Sequence, residues 1–358
     1  MTIDCRLYVN GQIFGGWTDV SIQQSMSSVA GAFSIGLTER WAGRTESWAI
    51  PAGAQCRVEI DGQTVITGYV DSVQVSHAAS QHSITVSGRD ATGDLVDCSA
   101  ENGTYLQQPF VSICRALVAP YGIAVVDQAG VDYTVKRFVV QTGESVFQAL
   151  ERAARLAGVL LTSDGYGRLI LTQAGGAGRA TTALVTGPAG NVLSASFTHD
   201  ASQLYSVIRV KSQCTASGLN QFDISVASPE AELPRTIGAA STPGVDRYRP
   251  LTLVAETQAP ADRCRQRAAW EAGRRQALAR TLTCTVQGWL QGDGTVWKPN
   301  TLVRVVDPLL RIDEDWLIRD VSFSLSVSGS TTQLTLAGPD AFTVLPAIPE
   351  PNYNKYAL

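Results

Sequence analysis

The chain has 358 residues, a length that on the usual domain sizes holds two to three domains. Hydrophobic residues make up 44%, ample for real cores, but charged residues only 17%, against roughly 25% in a typical soluble domain. So few charges leave much surface to be covered by neighbouring subunits or by Ser, Thr, Gln and Asn, and a net charge of −4 argues against a protein that grips nucleic acid through its phosphates.

In chain order, Arg6 to Phe14 alternates apolar and polar residues about Asn10-Gly11, a strong hairpin signal. Val20 to Gln24, Phe33 to Thr38, Cys56 to Ile60, Thr64 to Val75 and Ser83 to Gly88 follow as short strands separated by turn residues, the pattern of a barrel or sandwich. The period then changes. Pro109 to Tyr121 has helical spacing, with proline in the permissive first turn and Gly122 just past the end. Ser145 to Ala157 is an amphipathic helix with Val146, Leu150, Ala153 and Ala157 on one face and Gly158 as terminator. Val159 to Thr172 reads as a hairpin turning at Asp164-Gly165. After the Gly175 to Arg179 punctuation, strands resume, Leu204 to Ser212 being the clearest. Pro229 to Pro250 reads as an extended loop. Pro260 to Thr281 is the longest helix, with Ala and Trp270 expected to pack inward and Arg263, Arg265, Arg267, Arg274, Arg275 and Arg280 facing solvent or a neighbouring subunit's carboxylates. Strands run again from Leu282 to Leu336, and Pro346, Pro349 and Pro351 keep the end extended.

Two distant segments resemble each other. Arg57-Val58-Glu59-Ile60-Asp61, Val70 to Ser76 and Ile84 to Ala91 appear in the same order as Arg304-Val305-Val306-Asp307, Ile318 to Ser324 and Leu334 to Ala341, ending on Gly88-Arg89-Asp90-Ala91 and Gly338-Pro339-Asp340-Ala341. The repeat predicts two copies of one β-barrel. The reading is a mainly β chain with an α+β part: a first tube-type barrel domain over 1–100, a small α+β domain over 101–175, a second barrel domain over 176–341 with the 229–250 loop and the 260–281 helix inserted, and an extended tail over 342–358. A homotrimer of such chains presents six similar barrels in a pseudo-sixfold ring, which can sit under a sixfold tube and still meet a threefold partner.

Catalytic patterns are sparse. Glu101, Glu144, Glu151 and Asp164 lack the spacing of a glycosidase pair and read as surface and capping acids, Glu144 in the first turn of its helix. Gly31 to Gly36 has the wrong spacing for a nucleophile elbow, and neither H-E-x-x-H nor a P-loop occurs. His77 and His82 flank one predicted hairpin loop, and Asp313-Glu314-Asp315 begins like a calcium loop but has Ile318 where glycine is needed, so it reads as a polar hairpin tip. No cofactor or metal is expected. The seven cysteines are scattered with no C-x-x-C, the pattern of buried thiols in a reducing cytoplasm. No apolar run approaches the roughly 20 residues of a membrane helix, so no direct membrane insertion is expected. Met1 to Arg6 does not begin like a secretory signal.

Ser87-Gly88-Arg89-Asp90-Ala91-Thr92-Gly93-Asp94-Leu95-Val96-Asp97-Cys98 resembles the G-R-D-x-x-x-D-L-x-D segment of phage tail hub proteins, and Gly143 to Leu150 with Ala157-Gly158 resembles their small-domain helix. Gly288-Trp289, Trp297-Lys298-Pro299-Asn300, Trp316-Leu317-Ile318 and Pro339-Asp340-Ala341-Phe342 are similar to their C-terminal barrel. That Mu-type family is similar in fold to the late-control D proteins of contractile phages and to the hub half of type VI secretion spikes. The resemblance implies a homotrimeric baseplate hub of the virion, assembled in the host cytoplasm, joining the tail tube or a tube adaptor to the central spike. In that setting Gly88, Arg89, Asp90, Asp94, Leu95 and Asp97 are structural, and Phe342, Tyr353, Tyr356, Arg274 and Arg275 are candidates for partner binding. A cell-wall hydrolase or binding module of a tail is the competing reading, with the small helix–hairpin domain as its seat.

Overall fold

The computed structural model describes residues 4–39, 50–78, 81–213, 235–242, 244–254 and 261–343. Strands β1 (Cys5–Val9) and β2 (Gln12–Phe14) form a hairpin in which Asn10 and Gly11 both take positive φ, 50° and 79°, as a two-residue type I′ turn demands. A second hairpin joins β3 (Asp19–Ser25) to β4 (Ser28–Glu39). Then β5 (Gln55–Ile60), β6 (Gln63–Ala78) and β7 (Gln81–Asp90) form an antiparallel meander whose first turn, Asp61-Gly62, again has both residues at positive φ. His77 and His82 are register partners near its far end.

The helix–hairpin part holds α1 (Gly93–Asp97), β8 (Thr104–Pro109), α2 (Phe110–Val118), β9 (Val125–Asp127), β10 (Thr134–Val139), α3 (Val146–Ala157), β11 (Leu160–Ser163) and β12 (Leu169–Thr172). Pro109 caps α2, and a single 3-10 turn carries it to Gly122, which is left-handed at φ 67°. Helix α3 has a complete capping box: Ser145 accepts from the Gln148 N–H while the Gln148 side chain accepts from the Ser145 N–H. Its buried face, Val146, Ala149, Leu150 and Ala153, packs with Phe110, Ile113, Phe138 and Leu171 in a core of its own.

Beyond it come β13 (Leu184–Val185), β14 (Val192–His199), β15 (Val207–Gln213), β16 (Arg235–Ser241), β17 (Pro250–Val254), α4 (Ala261–Ala279), β18 (Arg280–Gln287), β19 (Leu302–Asp307), β20 (Ile312–Ser326) and β21 (Gly329–Ala337). Two compact units emerge. One gathers the chain up to Phe197 and returns for Thr281–Pro339; the other holds Thr198–Arg280 and the chain from Asp340. In the second unit β15 lies between antiparallel β16 and parallel β17, and α4 covers this sheet with Cys264, Ala268 and Ala272 facing Ile208 and Val210. The stretch read as an extended loop from Pro229 to Pro250 thus contains a strand. Trp270 is only partly buried, between the Arg267 and Arg274 guanidiniums, and donates its indole N–H to the Thr343 carbonyl at 2.7 Å. The expectation that it packs inward is corrected: small residues face the sheet.

In the first unit both repeat segments are meanders, β5–β6–β7 and β19–β20–β21. Each long middle strand carries a bulge at the equivalent step, between Val70 and Ser72 in β6 and between Ile318 and Asp320 in β20. The described pairings do not close either copy into a barrel. Both belong to one 13-stranded sheet ordered β14-β18-β21-β20-β3-β4-β7-β6-β5-β1-β2, with β19 and β13 on a branch from β20. Strand β20 is the splice: Asp320 to Leu325 pair with β3 on one side and β21 on the other, while its first residues pair with β19. One hydrophobic core runs beneath, from Leu7, Ile22, Phe33 and Val86 to Trp289, Trp297, Trp316 and Phe323.

Candidate functional site

The Gly88 to Asp97 segment is a joint between the sheet and the helix–hairpin part. A Cβ on Gly88 would overlap the Tyr69 carbonyl and stand 2.7 Å from the Phe33 ring, and one on Gly68 would overlap the Arg89 carbonyl. Backbones therefore meet here at distances only glycine permits. Arg89 then reaches two ways, Nε donating to Asp71 and Nη2 to Asp97, each at 2.7 Å. Asp71 is the extra residue of the β6 bulge and Asp97 ends α1, so one guanidinium ties three elements. These groups are all more than a third exposed, so each pair contributes at most about 1 kcal/mol.

Asp90 is buried and accepts from the Thr92 N–H at 3.0 Å; the Thr92 hydroxyl lies 2.8 Å from the same oxygen and 3.1 Å from the Val29 carbonyl. Burial pushes the Asp90 carboxyl above its ordinary range despite these bonds, whereas the Arg89 hydrogen bond holds Asp97 below it. Asp94 stands in the first turn of α1, and Leu95 is fully buried in the helix–hairpin core. Arg89, Thr92 and Leu95 each link the sheet or its loops to the helix–hairpin part. Sequence reasoning missed Asp71 and Gly68, whose roles depend on a strand pairing some 20 residues away.

The other candidates are dispersed. Arg275 donates from Nε to the buried Glu271 at 2.7 Å and lies over the Tyr205 ring; Arg274 lies over Trp270. Phe342 is half-buried in a short turn after β21. Tyr353 and Tyr356 lie outside the described residues. Glu144 sits before the N-cap Ser145 rather than in the helix, accepting from the Gln141 N–H and from Arg152, both at 2.6 Å. Glu151 pairs with Arg155 and Asp164 with Arg168. Asp313, Glu314 and Asp315 belong to β20 instead of a hairpin tip: Arg304 of β19 pairs with Asp313, and Arg179 makes two hydrogen bonds to Asp315.

A surface the sequence reading did not single out crosses the large sheet. Ser72, Ser87, Ser34, Ser21 and Ser324 are successive register partners through β6, β7, β4, β3 and β20, and the row continues to Thr331 and Gln287. A neighbouring row runs Gln23, Ser322, Gln333 and Thr285. Val20, Ile22, Phe33, Ile35, Val86 and Phe323, alternating with these along the strands, are buried on the opposite face. The signal was present as polar Ser, Thr and Gln at every second position, but only the register shows that they align.

Comparison with known proteins places these features. Residues 4–90 match the family described as Mu phage baseplate assembly protein GpP-like, N-terminal; residues 92–173 match the second domain of baseplate hub protein gp44-like; residues 260–345 match the fourth domain of Mu phage baseplate assembly protein GpP. The chain is 34% identical over 351 residues to baseplate hub protein gp44 of Escherichia phage Mu, covering 96% of this chain and 90% of that one. It superposes on the 43 kDa tail protein of prophage MuSo2 from Shewanella oneidensis with a TM-score of 0.83 and 31% identity, covering 96% of this chain and 100% of that one. The tail protein from Neisseria meningitidis MC58 superposes with a TM-score of 0.82 at 23% identity, covering 97% and 99%, and shares the fold. With a glycine-tight joint, a duplicated meander and this likeness along nearly its whole length, the chain belongs to the Mu-type baseplate hub family of phage tails.

Proposed function

We propose that this hub works as a homotrimer: three chains form a pseudo-sixfold ring that accepts the tail tube or its adaptor on one rim and a threefold central spike on the other. The observation that carries the reading is the duplicated meander with bulges at equivalent steps, spliced into one sheet through β3 and β20. Two similar halves per chain, taken three times, give the six quasi-equivalent positions a sixfold partner needs. Under this reading the four domains are a first tube-type region over 1–100, the helix–hairpin domain over 101–175, a second tube-type region over 176–341 and a tail over 342–358 that carries Tyr353 and Tyr356 to the spike. The protein acts without catalysis: Glu144, Glu151 and Asp164 are engaged by arginines, which supports positioning rather than proton transfer. Neither duplex DNA nor a membrane is held, in keeping with the net charge of −4 per chain.

Light scattering at micromolar concentration is expected to give three subunits, and deletion of Tyr353 to Leu358 to leave the trimer intact while weakening spike attachment. A chain that stays monomeric, and that appears in assembled tails in a number other than three or six per particle, overturns the ring. Unchanged spike attachment after the deletion moves the docking site to the rims.

A further inference from the structure

Helix α4 has two faces of different chemistry. Its small residues Cys264, Ala268 and Ala272 meet the β15–β17 sheet, while Arg267, Trp270 and Arg274, spaced by three and four, share the outer face. The Arg267 and Arg274 guanidiniums lie 4.4 Å and 5.7 Å from the centre of the Trp270 ring, and all three side chains are partly buried. The nearest acid along the helix is taken, since Glu271 pairs with Arg275. Among the described residues neither Arg267 nor Arg274 meets a carboxylate, so the two cations keep donors to offer. One acceptor is already in place. The Trp270 indole N–H donates to the carbonyl of Thr343, 73 residues further on, where the chain leaves the short turn after β21. The residues that follow, Val344-Leu345-Pro346-Ala347-Ile348-Pro349, carry no charge; their two prolines lack the N–H, and every carbonyl is kept. Pro346 and Pro349 have the P-x-x-P spacing that aromatic-bearing surfaces bind as an extended left-handed helix.

We propose that Arg267, Trp270 and Arg274 form a docking platform for Val344 to Pro349 of the same chain, the guanidiniums donating to its carbonyls as the indole donates to that of Thr343. The lengths agree. Arg267 and Arg274 stand on either side of Trp270, about 4.5 Å and 6 Å away along the helix. An extended segment rising about 3.1 Å per residue carries Val344, Leu345 and Pro346 past one or the other guanidinium, whichever way it leaves Trp270. A platform rich in donors suits a segment rich in acceptors, and the stiffness of proline lowers the entropy lost on docking. The contact fixes the point from which the tail starts: only the residues after Pro349, with Tyr353 and Tyr356, are left to reach a partner. It needs no ring, because one chain holds both sides of it.

Amide hydrogen exchange on the full chain tests it, read by mass spectrometry beside a free peptide of residues 343–358. The amides of Val344, Leu345, Ala347 and Ile348 are expected to exchange roughly tenfold more slowly in the chain than in the peptide. Trp270→Phe keeps a ring and removes the indole N–H; it and the pair Arg267→Gln with Arg274→Gln are each expected to raise those rates about threefold or more, with an unchanged urea midpoint. Pro346→Gly with Pro349→Gly loosens the segment without touching α4 and should raise them too, so a helix variant that folds poorly does not decide the matter. A benzophenone amino acid placed at Ala347 should cross-link to α4 within one chain. Exchange at the peptide rate in the wild type, or protection that survives all of these variants, overturns the platform. Cross-linked dimers overturn docking within the chain and assign the platform to the tail of a second copy. None of these results bears on the ring, which stands or falls on the number of subunits.

Discussion

The backbone carbonyl of Tyr69 and the Phe33 ring leave no room for a side chain on Gly88. Gly88→Ala is therefore expected to destabilise the first unit by about 2–3 kcal/mol, seen as a lower urea midpoint with an unchanged slope. Loss below about 0.5 kcal/mol would mean that the strands part easily there. Two residues on, Asp90 gives a pH signature. Its folded carboxyl titrates above the ordinary 3.8 because it is buried. Between those values the folded chain keeps a proton that the unfolded chain has lost, so this group's contribution to stability falls as pH rises through the window. Asp97, held down by Arg89, acts oppositely: its contribution is present above the ordinary carboxylate range and is lost as pH falls toward its lowered value. Denaturation of wild type and Asp90→Asn at a series of pH values should show the variant gaining on wild type as pH rises above 3.8. A flat difference from acid to neutral pH would place Asp90 in an ordinary environment. Four cysteines are quiet: burial pushes the Cys5, Cys56, Cys114 and Cys284 thiols up to about 12, away from thiolate chemistry.

Helix α3 was legible in the sequence because its signals are local: Ser145 and Gln148 three apart, apolar residues at helical spacing, and Gly158 at the left-handed end. Ser145→Ala should cost about 1 kcal/mol and raise amide exchange first in α3 and the hairpin beneath it. Exchange rising equally throughout the first unit would mean that the helix–hairpin part does not open by itself. The two type I′ turns were legible for the same local reason. Strand β16 was not. Its sequence, Arg-Thr-Ile-Gly-Ala-Ala-Ser, has little alternation because α4 presses close: a Cβ on Gly238 would stand 2.7 Å from the Cys264 Cβ. Small residues chosen for a helix lying on a strand look, in sequence, like loop. Asp313 to Asp315 misled in another way: Arg304 of the adjoining strand pairs with Asp313, and the Arg179 that pairs with Asp315 lies 136 residues earlier in the chain. The motif at Gly88 to Asp97 could be recognised as a unit, but its work as a joint depends on Asp71 and Gly68, which no local pattern connects to it.

At the scale of the whole molecule, the hub is a structural part of the virion tail, and under the proposed trimer its low charge bears on how subunits would hold together. Contacts made by backbone hydrogen bonds and apolar side chains are poorly screened by salt, unlike surface ion pairs. The oligomer mass is thus expected to stay the same between about 0.1 M and 1 M salt, where the Debye length shrinks from roughly 10 Å to 3 Å. Dissociation over that range, read by light scattering, would point to charged contacts such as those available to the α4 arginines. The duplication itself was readable as a repeat, whereas the pairing of β3 with β20 that merges the copies spans almost the entire chain and left no trace in either segment. That pairing has a mechanical side. From Asp320 to Leu325, β20 is bonded on both flanks, to β3 and to β21. A tension directed along these strands would load many backbone hydrogen bonds in shear at once instead of peeling them one by one. Resistance to such a pull is set by the rate of unfolding, not by equilibrium stability. For a structural part of a phage tail, a pull along β20 would thus be resisted by β3 and β21 at the same time.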